Sequence, residues 1–104
     1  MADVIKVLGQ VDVNATTTTT LYSVPDLTQT TCSSLVVCNR GGSGITFRVS
    51  VHVNNASADD KQFIFYDEDL AATTTRTVVI GLCLGQKDVV KVYSSAANVS
   101  FNLF

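Results

Sequence analysis

Asp59, Asp60, Asp67, Glu68 and Asp69 gather five of the chain's nine carboxylates into the eleven residues DDKQFIFYDED. Oxygen-rich clusters are what a hard cation such as calcium requires. The spacing argues against one, because consecutive acidic residues on an extended chain point to alternate sides and the ligand order of a calcium loop is missing. Two acidic turns at the ends of one strand are ordinary solubilising features, and no metal ligand is assigned. GGSG, residues 41–44, has neither the Lys-Ser/Thr pair nor the following helix of a phosphate-binding loop, so it is read as a turn. Nucleophilic or acid–base chemistry needs a base beside its partner. The only histidine, His52, falls on the alternating polar side of a strand with Thr46, Arg48 and Ser50, where solvent is expected. No catalytic residue and no cofactor site is assigned; the chain is read as non-enzymatic. Tyr22, Tyr66 and Tyr93 could form a sugar platform, although strand aromatics more often pack in cores and interfaces. The triplets at Asn14, Asn55 and Asn98 fit glycan acceptors only in a secreted chain.

The elements that must hold these residues are extended. In SSLVVCNRGGSGITFRVSVHV, residues 33–53, a run apolar on both faces gives way to a glycine-rich gap and then to strict alternation. Ile45, Phe47, Val49, Val51 and Val53 share one side, which predicts a half-buried strand. Leu35 and Val37 share one face of the first run and Val36 and Cys38 the other, which suits a strand covered twice or lying at a subunit contact. The gap of Asn39 to Gly44 predicts that residues 29–39 and 45–54 fold back as an antiparallel hairpin. Further strands are expected at Val4 to Leu8, in residues 16–24, in KQFIFYDEDL with Phe63 and Phe65 on one face, in residues 73–84 with Gly81 at a bulge, and in DVVKVYSS and NVSFNLF. QVDVNA reads as a polar connection, NNASADD as a surface loop, and Pro25-Asp26 and residues 84–88 as turns.

About eight short strands separated by polar turns predict an all-β chain, a single antiparallel β-sandwich over residues 1–104, immunoglobulin-like or jelly-roll-like. At 104 residues, one core burying roughly 60 to 65% of the unfolded surface is expected. Seven Lys+Arg against nine Asp+Glu give a formal charge of −2 with scattered cations, which offers no footprint for nucleic acid. No apolar run reaches the length of a membrane helix, and MADVIKVLGQ lacks a signal peptide's pattern. Synthesis in a cytoplasm, without nucleic-acid or membrane partners, is the expectation. Cys32 and Cys38 lie about 20 Å apart on one straight strand, too far to bridge. Cys83 could pair with either, but three reduced, buried thiols are expected. The closing stretch, with Val99, Phe101 and Leu103 on one face, must be tucked into a sheet or against a neighbour.

The order KVLGQ, TTLYSVP, SSLVVCNRGGSGITFRVSV, KQFIFYD and DVVKVYSSAANVSFNLF resembles small proteins encoded among the virion genes of tailed bacteriophages, particularly those infecting cyanobacteria and other aquatic bacteria. That resemblance implies a β-sandwich virion component on the head or the tail, and brings no ligand or catalytic residue with it. The expected role is a capsid decoration, or cement, protein on the outside of the major capsid shell. The alternatives are a tail, neck, baseplate or fibre component and a carbohydrate-binding module. Its expected partners are the major capsid protein or other virion proteins and further copies of itself. Arg40, Arg48, His52, Phe101 and Phe104 are the candidate assembly contacts.

Overall fold

The computed structural model describes residues 7–104. Among these residues eight strands run in chain order: β1 Gly9–Val13, β2 Thr19–Ser23, β3 Thr30–Asn39, β4 Ile45–His52, β5 Phe63–Leu70, β6 Thr75–Leu84, β7 Val89–Ser94 and β8 Val99–Leu103. They form two antiparallel four-stranded sheets, β1-β8-β3-β6 and β2-β7-β4-β5. Only the β4–β5 link joins neighbours within one sheet; every other connection crosses between sheets. This order is the double Greek key of a jelly roll, and it excludes the immunoglobulin arrangement, in which the first two strands share a sheet.

The sandwich packs through a valine-rich interior. Leu35, Val37, Phe101 and Leu103 of one sheet meet Phe47, Val49, Val90 and Val92 of the other, all essentially without solvent exposure. Phe47 lies edge-on to Phe101 at 6.1 Å and tilted to Phe65 at 5.8 Å. β8 runs between β1 and β3, so the apolar closing stretch is satisfied within its own sheet. Phe101 is therefore core and offers no assembly contact. The Ser33 and Ser34 amides both donate to the Phe104 carbonyl, two donors on one acceptor in the manner of a bulge.

Several expectations are corrected. Of the strand expected at Val4 to Leu8, residues 4–6 lie outside the described residues. Residues 9–13 form a strand that takes up the first part of the expected polar connection, because Val11 and Val13 turn inward while Gln10 and Asp12 face solvent. β3 and β4 do not form a hairpin: they lie in different sheets, and their apolar faces oppose each other across the interior instead of sharing one face. The glycines between them are not used for positive φ, which no described glycine adopts. The corner is tied instead by Asn39, 1% exposed. Its amide donates to the carbonyls of Ser43 at 2.9 Å and Ala71 at 3.1 Å, and its Oδ1 accepts from the Gly41 amide at 3.0 Å.

Phe63 and Phe65 also part company. The β4–β5 register slips twice, between Phe47 and Val49 and between Val49 and Ser50, which leaves Phe65 packed against the core while Phe63 meets the Tyr66 ring at 4.9 Å. The slip expected at Gly81 is present, opposite Cys32 to Ser34. All three thiols are free, but only Cys32 is buried; Cys38 is half-buried and Cys83 exposed. Burial, with the nearby Cys83 adding, pushes the Cys32 thiol above its ordinary value.

Candidate functional surface

The outward side of the β2-β7-β4-β5 sheet carries most of the polar side chains that the sequence put on one face of β4. Arg48 stands opposite Tyr93 on β7 and Ser50 opposite Lys91. The slip in β5 places Asp67 at φ 50°, a left-handed conformation that Asp tolerates better than most residues. The turn aims the Asp67 carboxylate along the sheet at Arg48, whose Nε and Nη2 donate to it at 2.6 and 3.3 Å. The guanidinium is sandwiched between two rings, 4.3 Å from the Tyr66 centroid and 4.5 Å from that of Tyr93. The hydrogen bond to Asp67 pushes Arg48 further above its ordinary value, with partial desolvation opposing. The result is an ordered Arg–Tyr platform in which Tyr66 is 59% exposed.

His52 is not on a solvent face. It is 3% exposed and Ser50 5%, because the β4–β5 connection, with its single turns Val53–Asn55 and Asp60–Gln62, folds back over them. The positive φ of Asn54 and Asn55 makes that reversal. His52 Nδ1 lies 3.0 Å from the Ala56 carbonyl, which can only accept, so Nδ1 carries the proton. In that tautomer Nε2 is the acceptor, and the Ser50 hydroxyl donates to it at 2.9 Å. A hydroxyl, an imidazole and a group orienting the imidazole are the parts of a nucleophile–base relay. Here the orienting group is a main-chain carbonyl, and the recess beside the pair, also lined by Thr18, Gln62, Phe63 and Lys91, holds about 70 Å³, below the roughly 300–1,000 Å³ typical of ligand pockets. What the relay does in this setting is tie the connection to the strand beneath it.

The remaining candidates disperse. Arg40 lies on the outward side of the other sheet, ion-paired to Asp12 and donating to Ser100 Oγ at 3.0 Å. Phe104 is 38% exposed at the end of the β8–β3 ladder, with its amide donating to the Ser34 carbonyl at 2.9 Å. Tyr22 is half-buried against the core; its hydroxyl shares a hydrogen bond with that of Thr30 at 2.9 Å. The carboxylates of the acidic cluster take separate partners: Asp67 pairs with Arg48, Glu68 with Arg76 at 2.6 Å, and Asp59 caps the turn at the Lys61 amide.

Asn39, Gln62 and Asp88 are the structural residues that pattern reading missed. Asp88, 9% exposed, accepts from the Asn54 and Gly85 amides at 2.9 and 2.8 Å, and Gln62 closes a reciprocal cap with Asp59. Only the Asp59-x-x-Gln62 spacing was a readable signal; the others are polar residues beside turns, with partners distant in sequence. Compared with known proteins, the chain matches no family model, no curated protein and no solved structure.

Proposed function

We propose that this chain is a non-enzymatic structural protein of a tailed-phage virion, a decoration protein that docks on the outside of the major capsid shell. Assembled in the host cytoplasm, it stabilises the shell by binding across contacts between capsid subunits, because a ligand of the assembled state alone shifts the equilibrium toward it. The observation that carries the reading is the Arg48–Tyr66–Tyr93 platform. Tyr and Arg dominate binding hot spots; here Tyr66 is exposed beside a half-buried Arg48 and Tyr93, and Arg48 is held by Asp67 and both rings, so less side-chain entropy remains to be lost on docking. The sequence resemblance and the jelly-roll frame, an architecture common among viral capsid domains, support the same reading. A sugar-binding role is disfavoured because Arg48 lies over the rings of Tyr66 and Tyr93 and Tyr22 is half-buried against the core.

The test is addition of the purified chain to preformed shells that lack it, with occupancy read from sedimented particles. The expected result is saturable binding and greater resistance of the shells to heat or low salt. Tyr66→Ala or Arg48→Glu should weaken binding by about 30-fold, the scale of a hot-spot residue. Bare shells at saturating protein, or variants that bind as the parent does, would sink the proposal. Co-purification with detached tails would place the chain there instead, and retention on a glycan array would identify a sugar binder.

A further inference from the structure

Among the described residues the sandwich has four open margins: β1 and β6 in one sheet, β2 and β5 in the other. Unpaired strand edges recruit other strands unless they are short, charged, bulged or covered. β1 and β2 are five residues each, β1 carrying Asp12 and β2 slipping in register at Leu21. β5 carries Asp67, Glu68 and Asp69 and is broken by two slips. β6 lacks most of these defences. It is ten residues long, TRTVVIGLCL, with no carboxylate, lysine or proline. Its one cation, Arg76, is taken up within the chain, with Nη1 2.6 Å from Glu68 and Nη2 2.9 Å from the Asp69 carbonyl.

The register with β3 runs unbroken from Cys38↔Thr75 to Ser34↔Val79 and slips only beyond that point. Residues 75–79 are therefore a regular edge, and among the described residues it is paired on one side only. Thr75, Thr77 and Val79 project from it to solvent, Val79 with 86% of its surface exposed.

We propose that this edge is a self-association site, at which a second copy of the chain adds antiparallel across a twofold axis through Thr77 and joins two four-stranded sheets into one of eight. The pairing is isologous: Thr77 faces its own counterpart, Thr75 faces Val79 and Arg76 faces Val78. Charge selects a second copy as occupant. Laid against its own reverse, residues 75–79 bring no like charges opposite one another, whereas the regular stretch of β5, residues 68–70, would set Asp69 against Asp69, which is destabilising. β-Branched Thr and Val fit cross-strand positions of this kind. A ladder of five residues supplies about five hydrogen bonds, at the lower end of the roughly 10 ± 5 of a specific interface. The partnership is therefore weak and reversible. It uses a different sheet from the Arg48 platform and does not rest on docking to a shell.

Sedimentation of the full chain from micromolar to millimolar concentration tests it. The average mass should rise from 11.1 kDa toward twice that value. Thr77→Lys, which sets two ammonium groups opposite each other, and Val79→Lys should each raise the dissociation constant at least tenfold, while Thr20→Lys on β2 should leave it unchanged. A nitroxide on Thr77→Cys, with Cys38 and Cys83 replaced by serine, should show strong dipolar broadening in the dimer, since paired residues across such a ladder lie about 5 Å apart. A chain that remains monomeric at millimolar concentration overturns the proposal. So does a dimer indifferent to Thr77→Lys, or one without broadening at residue 77.

Discussion

Asn39 illustrates how much a single buried amide can do. Its carboxamide serves the Gly41 amide and the Ser43, Leu70 and Ala71 carbonyls at 2.9–3.4 Å, so one side chain joins the corner after β3 to the end of β5. Asn39→Ala removes those bonds and strands main-chain groups in a dry environment, where each costs on the order of 1–3 kcal/mol. The expected loss is about 2–3 kcal/mol, read as a lower urea midpoint with an unchanged slope. The residue was legible as a turn former beside a glycine-rich gap, but two of its partners, the Leu70 and Ala71 carbonyls, lie thirty-one and thirty-two positions away, and local pattern cannot register them. Arg48 was legible as an outward-facing residue for a simpler reason: strict alternation fixes the side of a strand on which a residue lies. The rings that sandwich it come from β5 and β7, and Tyr66 reaches it only because β5 slips at Asp67.

Elements explain why His52 is buried on an outward face and why Phe63 departs from the alternation that governs its neighbours. His52 does point to the outward side of β4, as its parity requires, yet the connection to β5 covers that end of the sheet. The Ser50–His52–Ala56 relay pins the connection, and the Asp59–Gln62 cap and Asp88 close its ends. His52→Ala should therefore act locally first. Amide exchange in residues 53–62 should accelerate at least tenfold, and trypsin should cut after Lys61 sooner than in the parent, with a fall of about 2 kcal/mol in global stability. Acceleration spread evenly over the sandwich would show that the pin has no local role. The two margins β5 and β6 are linked by Glu68 and Arg76, whose guanidinium also lies 5.9 Å from the Phe47 ring. That ion pair closes one open side of the interior and removes the single charge from the β6 edge.

At the scale of the whole molecule, the two sheets touch along a seam that tolerates no added atom at Gly9. A Cβ there would lie 2.1 Å from the Leu21 carbonyl oxygen, a main-chain group of the facing sheet that cannot swing aside. Gly9→Ala should cost about 2–3 kcal/mol, as overpacking does, which for a domain of this size lowers the thermal midpoint by roughly 10–20 °C. Gly42→Ala, whose Cβ would meet nothing within 4 Å, is the matched control and should shift it little. By itself the sequence determined the class: period-two alternation, β-branched runs and polar breaks specify strands, and a chain of 104 residues with eight of them must stack two sheets to hide their apolar faces. It also placed Thr46 and Arg48 on the outward side of β4, because side-chain parity is a local property. Which strands neighbour one another was decided only in three dimensions. A glycine-rich link is equally compatible with a hairpin and with a crossing between sheets, and the choice went to the arrangement that sets Leu35 and Val37 against Phe47 and Val49. The same decision buried Phe101 and His52, carried Tyr66 to Arg48 and left β6 at a margin, since those outcomes depend on contacts between residues far apart in the chain.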